Sequence, residues 1–300
     1  MLGPTGVGKT GLSLRLAQWL GSPIISCDSR QFYRELKIGT AAPTAEELAR
    51  VPHYFIANLS VVDHYGAYQF GKDALALLEK LFEKQDNALM TGGSMMYIDA
   101  VGKGMDEMPS VDANVRRQLS QDFQEKGLDA MTELLRKLDP AYYSEVDLAN
   151  HKRVLHALEI CLTAGKPYSS FRIKLPQERA FKILKIGLNR PRAELYERIN
   201  ARVDEMIKEG LEIEARSQYA NKHLNALNTV GYKEMFAYFD GQYTLDEAIT
   251  QIKQNSRRYA KRQLTWFRGD DEIRWFQPNE EENIKDYLTA NGVKGAKTAQ

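Results

Sequence analysis

The chain's 300 residues, 43% hydrophobic and 27% charged, exclude a fibrous or disordered protein and fit an ordinary globular one. Its longest apolar runs, such as Pro23 to Cys27 and Ala88 to Met90, fall far short of the roughly 20 residues of a membrane helix. With no basic segment leading into an apolar leader, the expectation is no membrane partner and a cytoplasmic location. The net charge of +1 hides a basic run of Lys253, Arg257, Arg258, Lys261, Arg262 and Arg268 against acidic Glu280, Glu281, Glu282 and Asp286, and local fields govern partners more than the sum does.

In chain order, a glycine-rich loop leads into an amphipathic helix from Lys9 to Trp19 and an apolar strand from Pro23 to Cys27. Thr44 and Glu47 have capping-box spacing. Phe70, Ala74, Leu78, Leu81 and Phe82 repeat at helical period ahead of a strand from Ala88 to Met90, which ends at Gly92-Gly93. This alternation predicts a parallel α/β sheet. From about Asp112 to Glu178 the pattern turns all-helical, with Val154, Leu158, Cys161 and Leu162 on one face and Gly165 then Pro167 as a stop.

A strand is expected to return at Phe181 to Leu188, through Phe181, Ile183, Ile186 and Leu188. A helix from about Ala193 to Glu209 then turns Leu195, Ile199, Val203 and Met206 inward, with Gly210 as its stop. A second capping box, Thr244 and Glu247, starts another near Leu245. The architecture predicted is α/β: a P-loop NTPase-like parallel sheet flanked by helices, with an inserted all-helical domain. Residues 1–111 and 179–300 would form the core and 112–178 the insertion. Cys27 and Cys161 lack CxxC or histidine spacing and read as buried thiols. Trp19, Trp266 and Trp275 read as packing, Tyr33 and Tyr97 as core, and His53, His64 and His223 have no ligand spacing.

The sharpest motif is Gly3-Pro4-Thr5-Gly6-Val7-Gly8-Lys9-Thr10, which satisfies G-x-x-x-x-G-K-[ST]. Its glycines let backbone N–H groups turn toward one anion, the following helix adds its positive end, and Lys9 adds a charge. The Thr10 hydroxyl can ligate Mg2+ (magnesium). Such a loop holds a diphosphate. It ordinarily follows a buried strand, yet only Met1 and Leu2 precede Gly3, so that strand is expected to be missing or truncated.

Many P-loop ATPases and kinases place a magnesium-holding Asp after a later strand. Here that strand ends in Thr91-Gly92-Gly93-Ser94, and the available carboxylate is Asp28, at the end of the strand after the P-loop helix. Ligands of open α/β sheets bind at that end. Asp28 either faces the phosphate loop or merely caps the next turn.

With these motifs in place the chain resembles the tRNA dimethylallyltransferases. The resemblance lies in Gly3 to Thr10, Asp28-Ser29 with Gln31 and Tyr33, Ile38-Gly39-Thr40-Ala41, and Gly92-Gly93-Ser94 with Tyr97. It continues in Asn150-His151-Lys152-Arg153-Val154 with Ala157-Leu158-Glu159, Leu195-Tyr196-Glu197-Arg198-Ile199 with Arg202, Val230-Gly231-Tyr232, and Ala260-Lys261-Arg262-Gln263 with Trp266. It implies transfer of the dimethylallyl group of dimethylallyl diphosphate to N6 of the adenine on the 3′ side of a tRNA anticodon. Mg2+ would be the cofactor and the anticodon stem-loop the macromolecular partner, bound by a monomer.

The resemblance further implies Asp28 as base, with Thr5, Ser94, Arg116 and Arg202 completing the catalytic set. Diphosphate would lie in the loop from Gly3 to Thr10. The tRNA would meet Asp28, Ser29, Arg30, Gln31, Ser94, Arg116, Lys152, Arg153, His156, Asn228, Gly231, Tyr232, Lys233, Arg258, Lys261 and Arg262. On the last long helix Lys253, Arg257 and Lys261 fall four apart, with Arg258 and Arg262 in a neighbouring row. The rows form either a phosphate-binding stripe or a solvated face. A kinase acting on a small molecule and an adenylate prenyltransferase acting on free AMP or ATP stay open on the P-loop alone.

Overall fold

The computed structural model describes residues 1–172 and 177–296. It divides into two compact units, Met1–Gly102 with Arg179–Gln300, and Lys103–Glu178. In the first, α1 (Lys9–Leu20), β1 (Ile24–Ser26), α2 (Ala45–Arg50), β2 (His53–Tyr54), α3 (Ala67–Phe82), β3 (Leu89–Thr91) and α4 (Met95–Gly102) follow one another. The second holds α5 (Ala113–Leu138), α6 (Pro140–Glu145) and α7 (His151–Ala164). The first then resumes with β4 (Ile186–Leu188), α8 (Arg192–Lys208), α9 (Leu211–Ser217), α10 (Tyr232–Phe239), α11 (Leu245–Phe267), β5 (Arg274–Phe276) and α12 (Glu281–Ala290).

Every strand pair is parallel, in the orders β2-β1-β3 and β4-β5. Alternation along β1 makes this a layered α/β core: Ile24 packs with Leu12 and Leu16 of α1, whereas Ile25 packs with Phe70 and Ala74 of α3. Both faces are therefore buried, as parallel sheets require. Beyond the sheet, α8, α9, α10 and α11 share a separate cluster around Tyr232, Met235 and Phe236. Both capping boxes form, with reciprocal bonds at Thr44–Glu47 and Thr244–Glu247.

The strand ahead of the P-loop is not simply missing. Leu2 bridges Gly92 on one side and Gly187 on the other. Its N–H donates to the Ile186 carbonyl at 2.8 Å and its carbonyl accepts from the Leu188 N–H at 2.8 Å. Two residues thus occupy the strand's place and stitch β3 to β4, putting the P-loop at the carboxyl edge of a continuous parallel array.

Three other expectations need correction. The ladder between Phe181 and Leu188 is confined to β4, because Phe181 is held by ring contact with Phe82 rather than by a strand partner, and Ile183 is 39% exposed. Leu162 is 43% exposed: the buried stripe of α7 runs through Val154, Ala157, Leu158 and Cys161, and Leu162 lies one step round the helix. Trp266 is 48% exposed for the same reason, beside the inward row Ala260, Gln263 and Phe267 of α11.

In the second unit, α5 and α7 pack through Leu119, Met131, Leu135, Val154 and Leu158. Gly127, at φ 75°, breaks α5 in two. The ends of this unit are tied where the Gln177 N–H donates to the Lys103 carbonyl at 3.0 Å. No described helix is long and apolar enough to cross a membrane.

Candidate active site

The P-loop turns on glycines for a local reason. Gly6 sits at φ 79°, and a Cβ there would lie 2.8 Å from the Ile199 side chain of α8, so neither the conformation nor the space admits a larger residue. Cations take up the loop's carbonyl groups. Lys9 Nζ donates to the Gly3 and Pro4 carbonyls, both at 2.9 Å. Arg198 Nε reaches the Gly6 carbonyl at 3.0 Å and Arg190 Nε the Val7 carbonyl at 2.8 Å. An anion entering the loop therefore meets fewer unneutralised carbonyl dipoles. Burial lowers the Lys9 pKa to about 8, against the opposing pull of Asp28. Thr10, at the first turn of α1, is exposed.

Beside the loop a cleft of about 380 Å³ brings Thr5 together with Asp28 and Arg202. Both readings of Asp28 hold at once. One oxygen, Oδ1, accepts the Arg30 N–H at 3.0 Å and shapes the turn after β1, and the residue also lines the cleft. Burial lowers the Arg202 pKa while Asp28 opposes the shift; a guanidinium stays charged through such a change. Its Nη2 reaches the Thr40 carbonyl at 3.5 Å. Ser94 is buried just behind, its hydroxyl accepting the Ser29 N–H at 2.8 Å and meeting the Ser29 hydroxyl at 3.1 Å.

Ser29 and Arg30 of the turn after β1, Asn228 and Gly231 of the loop before α10, and Lys233 and Arg262 of α10 and α11 line the same cleft, so segments far apart in sequence converge there. Tyr232 does not join them. It is fully buried, and its hydroxyl donates to Glu214 at 2.6 Å. The same carboxylate accepts the N–H groups of Lys37, Ile38 and Gly39 at 2.8 to 2.9 Å. Tyr232 therefore helps to anchor the loop before Thr40 and is not placed to touch RNA. Gln31 is likewise engaged, donating to the Ala41 carbonyl at 3.0 Å.

The basic rows of α11 divide. Lys253 pairs with Asp204 at 2.6 Å and Arg257 donates to Asn200 at 2.6 Å, both partners on α8, which removes them from a phosphate stripe. Arg258, Lys261 and Arg262 are exposed. In the second unit Lys152, Arg153 and His156 are exposed on α7. Arg116 is held there by both oxygens of Glu159, at 2.9 and 3.2 Å.

Tyr259 lines the cleft without standing out in the sequence, and Gln263, which enters there only as part of a motif and with no role, is buried behind it. Burial followed by the charge of Asp28 pushes the Tyr259 pKa up to about 12. A signal exists: Ser256, Tyr259 and Gln263 interrupt the apolar inner row Ala248, Ile252, Ala260 and Phe267 of α11. Polar residues on a buried helical stripe demand partners.

A glycine-rich anion loop at a helix N-terminus, a carboxylate at the end of the neighbouring strand and a cationic rim together define a P-loop α/β protein whose ligand cleft lies at the carboxyl edge of its sheet. Residues 31–270 match the family model described as IPP transferase. The tRNA dimethylallyltransferase 1 of Bacteroides fragilis is 57% identical over 97% of this chain and 97% of its own length. The crystal structure of the tRNA isopentenylpyrophosphate transferase of Bacillus halodurans is 36% identical, with a TM-score of 0.69, over 96% of this chain and 94% of that one. A eukaryotic dimethylallyltransferase acting on tRNA shares the fold at a TM-score of 0.77 and 23% identity, over 97% of this chain and 77% of that one. The chain belongs to the IPP transferase family.

Proposed function

We propose that this chain transfers a dimethylallyl group from dimethylallyl diphosphate to N6 of the adenine on the 3′ side of a tRNA anticodon. The observation that carries this reading is the meeting of Thr5, Asp28 and Arg202 in one cleft rimmed by Arg30, Lys233 and Arg262. Relatives named tRNA dimethylallyltransferase support it.

The exocyclic amine of adenine is a weak nucleophile because its lone pair is delocalised into the ring. As C1 of the prenyl group bonds to N6, the C1–O bond breaks and its electron pair leaves on the diphosphate. Asp28 accepts the N6 proton, which a general base must remove as the amine gains charge. The departing diphosphate is stabilised by the loop's N–H groups, Lys9 and Arg202, all held in place before reaction. Thr5 and Ser94 set the position of the amine. The resemblance adds Arg116, which Glu159 holds in the second unit.

Among the described residues no cluster of three His, Cys, Asp or Glu side chains could hold a metal ion. The donor set still fits Mg2+ in the manner usual for phosphate substrates, with the Thr10 hydroxyl, diphosphate oxygens and water as ligands. Bound there, the ion would neutralise charge on the leaving diphosphate. The anticodon stem-loop would be met by Arg258, Lys261 and Arg262 of the first unit and by Lys152, Arg153 and His156 of the second, with Ser29, Arg30, Gln31, Asn228, Gly231 and Lys233 around the extruded base. The protein would act as a cytoplasmic monomer.

The test is incubation with labelled dimethylallyl diphosphate, Mg2+ and either an anticodon stem-loop or AMP. Label on the RNA is the expected result. Label on AMP alone would make the chain an adenylate prenyltransferase, and ATP consumption without prenyl transfer would make it a kinase.

A further inference from the structure

Gln263 is 2% exposed and lies at the inner face of α11, yet it carries a primary amide. Its Oε1 accepts the Thr5 N–H at 2.9 Å, and its Nε2 donates to the Gly93 carbonyl at 2.8 Å. One side chain thus joins the P-loop to the turn after β3. That turn continues directly into Ser94, whose hydroxyl holds Ser29, the residue after Asp28. One helical turn before Gln263, Tyr259 lines the cleft.

The requirement is specific. Thr5 presents a donor and Gly93 an acceptor, so the bridging group must accept at one end and donate at the other. A neutral amide does this; a carboxylate only accepts. Space is equally restrictive, since a Cβ on Gly93 would lie 2.4 Å from the Gln263 amide nitrogen. The Thr5 N–H belongs to the P-loop and is already committed to Gln263. What Thr5 offers the cleft is therefore its side chain.

We infer that Gln263 is a positioning residue: it holds Thr5 and the Gly93–Ser94 turn in register, and through Ser94 and Ser29 sets Asp28 against the donor. It touches neither substrate in this arrangement. The inference rests on the prenyl-transfer reading, and a displacement of about 1 Å between reacting groups lowers turnover by roughly 100-fold.

The experiment uses the full chain, as wild type, Gln263→Met and Gln263→Glu, with labelled dimethylallyl diphosphate and an anticodon stem-loop. Rates are taken as ratios to wild type at each pH, and thermal unfolding reports the folded fraction. Gln263→Met preserves length and helix propensity but offers neither bond. Its kcat should fall roughly 10- to 100-fold while KM for RNA stays within about twofold. Gln263→Glu supplies the sharper readout. Burial raises its carboxyl pKa, and when protonated it again accepts from Thr5 and donates to Gly93. Its deficit per folded molecule should therefore shrink as pH falls, whereas a residue needed only for folding would show, once rates are divided by the folded fraction at each pH, a constant ratio.

Wild-type turnover in folded Gln263→Met, or a ratio for Gln263→Glu independent of pH, overturns the inference. Should Gln263→Met fail to fold, the pH series of Gln263→Glu decides alone. Absence of transfer by the wild type would instead overturn the transferase reading, and this proposal with it.

Discussion

The two walls of the cleft are built by different physics. On the strand side, Thr5 and Asp28, with Ser94 buried behind them, sit in short turns at the ends of strands, placed by backbone hydrogen bonds and by glycines such as Gly6 and Gly93. On the helix side, Arg202, Tyr259 and Arg262 project from α8 and α11, whose mutual placement depends on packing around Tyr232 and on pairs such as Lys253 with Asp204. A wall made of turns is written locally. A wall made of helices is written across the whole chain, and changes to the two should fail differently.

The largest effect is expected on the strand side. Asp28→Asn keeps a side-chain oxygen to accept the Arg30 N–H, so the turn survives, but it removes the proposed base. Turnover should drop about 100- to 10,000-fold with tRNA affinity nearly unchanged, as single-turnover rates and equilibrium binding would show. Equal losses in both would make Asp28 a docking residue.

Lys9 gives the next effect, and its sign follows from linkage. Burial lowers its pKa to about 8 in the free protein, and a bound diphosphate, being opposite in charge, raises it again. Donor binding then takes up a proton above about pH 8, so affinity is full below that pH and weakens by up to about tenfold per unit above it. Titrating donor binding between about pH 7 and 9 measures this. Lys9→Arg, charged throughout that window, should show a flat profile; an equal slope in both proteins would place the proton elsewhere.

A smaller effect belongs to the exposed row of α11. Replacing Arg258 and Arg262 with Ala should weaken RNA binding and reduce its dependence on log salt by about 0.7 for each phosphate left unneutralised. Lys253→Ala should leave that slope alone, because its charge is spent on Asp204. A change of slope at Lys253 would restore it to the interface.

These contrasts also explain what is legible in the sequence. The P-loop, both capping boxes and Asp28 are local patterns, and each appears where its residues predict. The role of Leu2 is not legible, since two residues carry no periodicity and their strand exists only through Gly92 and Gly187. Nor is the division of the α11 cations. Spacing shows which side chains share a face, but only the approach of α8 shows that Lys253 and Arg257 are already engaged. Gln263 and Tyr259 lie between: a polar interruption on an apolar stripe is visible, its partners are not.

Tyr232 provides the smallest effect and the finest test of the comparison. Its motif, with Val230 and Gly231, assigns it to the RNA face, whereas packing buries it and gives its hydroxyl to Glu214. Tyr232→Phe removes that one bond and leaves the Glu214 carboxylate its three backbone donors. Stability should fall by about 1 kcal/mol, read by denaturant unfolding, with the slope of RNA binding against salt and the affinity itself unchanged. If the Phe variant instead keeps its stability and loses RNA affinity, the helical wall opens on binding, and the partition between a wall that positions and a wall that docks would have to be redrawn around α10.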